Sequence, residues 1–265
     1  VIVIDNNSQD NTVAIIRDQF PQVIVHQAGF NLGFGQGNNL GFKMGLDWEA
    51  DFFFLLNQDA WVEGNCLLDL CNISLRNPEY GVLSPMHWNR NKTDLDHGFK
   101  LHVSRNGELA RIIGGESKDV HSVSFVNAAA WLVSKACLLK VGGFAPLFYH
   151  YGEDDDYVNR ASYYGFKVGV CPLSTIIHDR EILDKKNTFA HQYRMYLINA
   201  TNINTQWSLF DYLKSWSSLF VKDLSRLRLS TLFNYPRLAY RAIVDRNLVL
   251  AHRRLASSGR CYLIL

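Results

Sequence analysis

The sequence lacks the marks of secreted, disordered and membrane-spanning chains. Its five cysteines, Cys66, Cys71, Cys137, Cys171 and Cys261, include no C-x-x-C pair. An odd count in a long chain reads as reduced thiols in a cytosolic setting, not as a disulfide framework. No apolar run approaches the roughly 18 residues of a membrane span, and no signal-peptide pattern opens the chain. The expected location is therefore cytoplasmic. The first residue is not Met and the chain starts inside an apolar strand, as a fragment would. Hydrophobic residues make up 48% and charged residues 20%, a balance that excludes global disorder. The net charge of +2 calls for no polyanionic partner, nucleic acid included.

What charge there is lies unevenly. From Trp207 onward there are 10 Lys+Arg against 3 Asp+Glu, while the preceding 206 residues carry 17 against 22. An acidic body with a basic tail predicts a boundary near residues 180–206, and we set the domains at 1–200 and 201–265.

Val1-Ile-Val-Ile4 is a β-branched run stopped by Asp5-Asn-Asn-Ser8, the pattern of a buried parallel strand ending in a polar loop. Thr12–Phe20 has helical spacing and is closed by Pro21. Val23–Val25 is the next strand. After Asn31-Leu-Gly-Phe-Gly-Gln-Gly-Asn-Asn39 a helix runs to about Trp48, and Phe52–Leu56, the most apolar run, stops at Asn57-Gln58-Asp59. Strand, helix, strand, helix, strand in so short a span predicts an α/β fold with a parallel sheet. Residues 80–126 read as short strands and loops. Further on come helices at 134–141 and 153–164 and a strand at 167–170.

Ligands of open α/β sheets collect beyond the carboxyl ends of strands. Three polar clusters fall at such ends: 5–10, 31–39 and 57–59. Each alone is ordinary turn chemistry; three on one sheet edge favour a site. The glycine loop does not match a dinucleotide fingerprint, since Asn38 stands where G-x-G-x-x-G from Gly33 needs glycine. Glycines before a helix still suit a phosphate. Asp59 ends the apolar strand, where a carboxylate either binds a hard divalent cation, with Asn57 supporting it, or caps the following helix. Glu153-Asp154-Asp155-Asp156 opens a helix among aromatic residues. The helix dipole explains one or two of these acids, and the crowding of four makes a general base or metal-facing group plausible.

Taken in order, Val1-Ile-Val-Ile-Asp-Asn-Asn-Ser8, Asn31-x-Gly33-Phe34-x-x-Gly37-x-Asn39, Leu56-Asn57-x-Asp59, Gly142-Gly143-Phe144, Gly152-Glu153-Asp154-x-Asp156 with Arg160, and His178 resemble the motifs of the family 2 glycosyltransferases. The nearest branch is the bacterial rhamnosyltransferase-like group, and the resemblance spans roughly residues 1–180. It implies a GT-A fold, a Rossmann-like, mostly parallel sheet with helices on both faces. It also implies a nucleotide-sugar donor of the dTDP-rhamnose or UDP-sugar type, a divalent cation (Mn2+ or Mg2+) and inversion at the anomeric carbon. The acceptor would be a saccharide or lipid-linked saccharide, as in cell-surface polysaccharide synthesis. By the resemblance, Asp5 contacts the base or ribose, with Asn7, Ser8, Asn31, Gly33, Gly37, Asn39 and Asn57 also on the donor side. Asp59 is the last acid of the D-x-D motif, whose first position is Asn57, and His178 is a metal or phosphate contact. Asp154 is the base, supported by Glu153 and Asp156, with Asp156 and Arg160 also towards the acceptor; Trp88, from the region after residue 80, is an acceptor-side candidate on its residue type alone. The family's first strand and helix precede the position of Val1.

His87 and Trp88 are candidates for stacking on sugar, and Trp131 for the core. Two alternatives share parts of this pattern: a nucleotidyltransferase, and a non-catalytic nucleotide- or sugar-binding relative. In the basic tail, Leu209, Leu213, Trp216, Phe220, Leu224 and Leu227 recur at steps of four and three, flanked by Lys214, Lys222, Arg226 and Arg228. That stripe suits either packing on protein or the surface of an anionic membrane.

Overall fold

The computed structural model describes residues 1–104, 107–114, 119–179, 188–225 and 232–263. The chain divides into two units, Val1–Glu181 with Arg260–Leu265, and Ile182–Gly259. The division thus falls at 181/182, so residues 188–200, set with the first domain by sequence, belong to the second unit. The last residues return to the first, where Cys261 bridges Gly142.

In the first unit, β1 (Ile2–Asp5) pairs parallel with β2 (Ile24–Gln27), with α1 (Thr12–Gln19) between them in sequence. The Asp10 carboxylate receives the Thr12 N–H where α1 begins. Helix α2 (Gly33–Asp47) starts six residues before Asn39, so the glycine segment is helix and not a loop leading into one. Glycine disfavours a helix by about 1 kcal/mol relative to alanine; close packing, described below, overrides that preference.

β3 (Phe52–Leu56) does not continue the β1–β2 pair. It lies in a second sheet of order β3-β7-β5-β8-β4, with β6 also paired to β8. The strands are β4 (Ala60–Val62), β5 (Tyr80–Trp88), β6 (His121–Val123), β7 (Ala130–Ser134) and β8 (Lys167–His178). β5 and β8 run parallel, and β7 is antiparallel to both β3 and β5. Strand partners are long-range choices that local periodicity does not reveal.

Alternation along the strands fills both faces of this sheet. Phe53, Leu55, Val82, Trp131 and Val133 join one core with Phe42 of α2. Cys137 and Leu138 of α6 (Lys135–Val141) and Tyr157 and Ala161 of α7 (Glu153–Tyr163) complete it. Leu83, Ala130, Leu132 and Ile176 face the other way, onto Leu70 and Ile73 of α3 (Cys66–Arg76). Burial on both faces explains the unbroken apolar runs. Trp131 is wholly buried, as its core assignment expects.

β8 is longer than its sequence signal. Its register against β5 jumps from Pro85↔Cys171 to Met86↔Thr175. Pro172, which has no N–H to give a ladder, lies in the extra segment. Beyond the bulge, His87 and Trp88 pair with Ile176 and Ile177, which brings the end of β8 beside the end of β5. Region 80–126 also forms two short helices, α4 (His97–Val103) and α5 (Glu108–Ile113).

The second unit is helical: α8 (Thr188–Thr201), α9 (Leu209–Ser225), α10 (Asn234–Val244) and α11 (Arg246–Ser258). Part of the expected stripe packs inside it. Trp216 meets the Tyr196 ring at 5.2 Å and Phe220 meets Tyr235 at 6.0 Å; Leu227 lies outside the described residues. Arg253 is not merely solvated, since it donates to the carbonyls of Ala200 and Asn202 at the end of α8. No helix among the described residues is long and apolar enough to cross a membrane.

Candidate active site

The loop after β1 and the start of α2 are tied together by one side chain. Asn6 donates through Nδ2 to Asn31 Oδ1 (3.0 Å) and accepts the Leu32 N–H on its own Oδ1 (2.7 Å). Asn31 Oδ1 also receives the Gly33 N–H at 2.9 Å. Asp5, almost wholly buried, ends β1 and accepts the Ser8 N–H. Asn7 stands between them with a positive φ of 73°, exposed like Ser8. Positive φ is uncommon outside glycine and most accessible to Asn and Asp.

Helix α2 begins where the chain before α7 crosses it. A Cβ on Gly33, whose φ is +76°, would lie 2.3 Å from the Tyr149 carbonyl oxygen. One on Gly35 would lie 2.8 Å from Phe144 Cβ and 3.7 Å from Glu153 Cβ. Glycine at these two positions is what lets the acidic motif sit against the Asn31 loop. Gly37 shows only ordinary contact distances, 3.9 Å, to Asn6 and Ile4.

The four acids that open α7 have different surroundings. Asp156 and Arg160 form a buried ion pair at 2.8 Å, each side chain 1% exposed. Arg160 also donates to the carbonyls of Val141 (3.0 Å) and Gly143 (2.8 Å). Glu153 is buried, whereas Asp154 and Asp155 are half-buried. Among the four, Asp154 and Asp155 are the carboxylates a ligand can reach.

A second cluster gathers at the ends of β5 and β8. His178 lies between two carboxylates, with Nε2 3.4 Å from Asp59 Oδ1 and Nδ1 3.5 Å from Asp96 Oδ2. Asp59 follows β3 in the turn to β4, and its backbone carbonyl accepts the Asp179 N–H. The alternative role for Asp59 is not realised, since Asn65 precedes α3 at the cap position. Asn57, half-buried, is fixed through its backbone, donating to Ala129 O and accepting from Ala60 N. His87, wholly buried, has Nε2 3.0 Å from Ser84 Oγ. Burial first, and then the neighbouring His178, push the His87 imidazole down to about 3, with Asp96 opposing them. Burial works against the Asp96 charge, yet His178 and the Phe99 N–H hold its carboxyl below the ordinary value.

Several sequence expectations change here. Arg160 and Asp156 cannot meet an acceptor, because their charges are spent on each other inside the core. Asn39 was expected on the donor side; its side chain instead clasps Phe144, accepting from its N (2.7 Å) and donating to its O (2.9 Å). His87 cannot stack on a sugar, being buried with its ring 4.7 Å from Phe99. Trp88 is half-buried against the core. Asn6, Asp96 and Tyr149 were missed. Asn6 had a signal in its place between Asp5 and Asn7; Asp96 had only that of a helix cap.

Comparison with known proteins adds three kinds of likeness. Residues 1–132 match the family model described as glycosyl transferase family 2. The low-salt glycan biosynthesis hexosyltransferase Agl10 of Haloferax volcanii is 23% identical over 240 residues, covering 87% of this chain and 71% of that protein. The N-acetylglucosaminyl-diphospho-decaprenol L-rhamnosyltransferase of Mycobacterium tuberculosis is 22% identical over 206 residues, covering 68% of this chain and 66% of its own length. Among solved structures, GalNAc-T7 with UDP, GalNAc and Mn2+ aligns at a TM-score of 0.51 and 11% identity, over 74% of this chain and 42% of that one. Staphylococcal TarS ("S. aureus TarS") aligns at 0.50 and 17%, over 97% and 49%. This chain therefore spans less than half the length of either solved structure.

Proposed function

Because this chain belongs, through residues 1–132, to glycosyl transferase family 2 and has the GT-A fold, we propose that it is an inverting glycosyltransferase. It moves a sugar from a nucleotide-diphospho-sugar to a hydroxyl of a saccharide acceptor. The observation that carries this reading is the abutment of the Asn6–Asn31 network, which directly follows Asp5, on the acidic turn at Glu153, across Gly33 and Gly35. The loop after β1 and the start of α7 thereby lie together.

Asp5 and the exposed Asn7-Ser8 loop receive the nucleoside, and Asn31 shapes the loop beside it. Asp154, half-buried where Glu153 is covered and Asp156 is paired, takes the proton of the acceptor hydroxyl as its oxygen attacks the anomeric carbon. Attack on the face opposite the leaving nucleoside diphosphate inverts that carbon. Glu153 holds the turn against α2.

The residues present fit a divalent cation. Asp59 Oδ1 and both ring nitrogens of His178 are buried atoms without a hydrogen-bond partner, and Nε2 is the nitrogen that faces Asp59. One carboxylate oxygen and one imidazole nitrogen suit Mn2+ or Mg2+, the former better. Asp59 and His178 would hold it, with Asn57 nearby. Such an ion, when bound, supplies positive charge for the departing diphosphate.

The donor is of the dTDP-rhamnose or UDP-sugar type, and the product belongs to cell-surface polysaccharide synthesis. The names of the two curated relatives, a hexosyltransferase and a rhamnosyltransferase of a decaprenol-linked sugar, support this. The basic second unit meets an anionic bilayer on the cytoplasmic side, which suits a lipid-linked acceptor. Phe210 and Val221 on α9, and Phe233 and Tyr240 further along, are exposed for that contact.

A panel of nucleotide sugars in thermal denaturation, with and without manganese, tests the reading. A matching donor at about 100 times its Kd stabilises by roughly 2.7 kcal/mol. In the Asp59→Ala variant the manganese-dependent part of that rise should vanish. If no nucleotide sugar raises the midpoint under either condition, the proposal fails.

A further inference from the structure

The most telling group outside the expected motifs is Asp96. After β5 the chain turns through residues 89–94 and Leu95 bridges back to Trp88. The Asp96 N–H then donates to the His87 carbonyl at 2.9 Å, which fixes its backbone beside the end of β8. One carboxylate oxygen caps α4, accepting the Phe99 N–H at 2.8 Å. The other faces His178 Nδ1, and both side chains are almost wholly buried.

We propose that Asp96 is a positioning residue: it holds the ring proton of His178 on Nδ1, so that the Nε2 lone pair faces Asp59 and is available to a cation. A neutral imidazole has one N–H, and here two carboxylates compete for it. The Asp96 side chain is 4% exposed and the Asp59 side chain 40%. The Asp59 Oδ1 that faces Nε2 is itself buried, but water reaches the rest of that carboxylate. Asp96 is sealed from water, with the Phe99 N–H on one oxygen and a donor still needed on the other. The proton therefore belongs with Asp96. Carboxylate–histidine pairs of this kind fix the tautomer of metal-binding histidines and raise their basicity. The inference rests on the reading that Asp59 and His178 hold the ion, and it concerns a group no part of that reading names.

The test uses the full chain, 15N-labelled, in long-range proton–nitrogen spectra of the histidine side chains at pH 8 in EDTA. His178 is assigned by loss of its signals in His178→Asn. The expected pattern is Nδ1–H in the unmodified protein. Asp96→Asn keeps an oxygen for the Phe99 N–H but turns an amide donor towards the ring, so the proton should move to Nε2. Manganese binding, followed by electron paramagnetic resonance of the free ion, should weaken about 10–100-fold in that variant. Nε2–H in the unmodified protein overturns the assignment, as does unchanged manganese affinity in Asp96→Asn. If the unmodified protein shows Nδ1–H but binds no manganese, the cation reading fails and the tautomer assignment stands. Should Asp96→Asn not fold, Asp96→Ser still caps α4 and removes the carboxylate, and a shift from pure Nδ1–H to mixed tautomers is then expected. One zinc ion per chain on His178 Nδ1, with Asp96 and His87 as co-ligands, also overturns it.

Discussion

Replacing Asp156 by Asn should unfold this protein more readily without altering how an acceptor binds. The Asp156–Arg160 pair lies inside the first unit, each side chain 1% exposed. Burial alone would lower the guanidinium pKa, but Asp156 beside it, with Cys261 and Tyr157, lifts it above its ordinary value. A guanidinium does not give up its proton inside a protein, so after the substitution Arg160 stays charged, still bound to the carbonyls of Val141 and Gly143 but with no counter-charge. Breaking a buried pair from one side costs about 3–5 kcal/mol. In a domain of this size each kcal/mol lowers the melting midpoint by roughly 2–4 °C, so a fall of roughly 6–20 °C is expected. Differential scanning fluorimetry measures it, beside urea melts of Asp156→Asn, Arg160→Met and the double variant Asp156→Asn/Arg160→Met. The double variant should lose less than the two single ones together, by about 0.5–3 kcal/mol. A wild-type midpoint with a raised KM for the acceptor would refute the reasoning and return Asp156 to the cleft.

Three further outcomes follow from the same geometry. Asp154→Asn should leave donor affinity nearly intact in calorimetry while cutting turnover by about 100-fold or more, since only proton removal is lost; a deeper loss in Glu153→Gln would exchange the two roles. In EDTA, the depressed His87 pKa makes the unfolded chain take up a proton below its ordinary value of 6.5 that the folded chain refuses until about 3. Stability from this group is thus complete above pH 6.5 and lost as pH falls towards 3, by about 1.4 kcal/mol per unit within that window. Urea melts at pH 7.5 and 5 should show a smaller acid loss in His87→Gln, and equal losses would exclude this cause. Co-sedimentation with liposomes should rise with anionic lipid and fall with salt, and Phe233→Ser/Tyr240→Ser should weaken it; indifference of the intact chain to anionic lipid at low salt removes the membrane contact.

The sequence by itself determined the elements whose cause is local. Pro21 and Ser134 bound helices where they were read, and Phe52–Leu56 is a strand because five apolar residues have two buried faces to fill. The acidic turn and Asp59 were legible as candidate chemistry because four adjacent carboxylates repel one another and a carboxylate at the end of a buried strand is costly, whereas His178 entered only through the resemblance. What only the tertiary structure decided is which of these groups meet. Asp156 and Asp154 look alike in sequence, yet one is sealed against Arg160 and the other is half-buried, because α7 turns its residues by about 100° each. Gly33 and Gly35 looked like a phosphate loop; they are glycines because Tyr149 and Phe144, more than a hundred residues away, cross them too closely for a Cβ. Asp96 carried no motif at all. It stands beside His178 because the bulge after Pro85 puts the ends of β5 and β8 side by side. Such a contact depends on register between distant strands, which no local pattern of residues encodes.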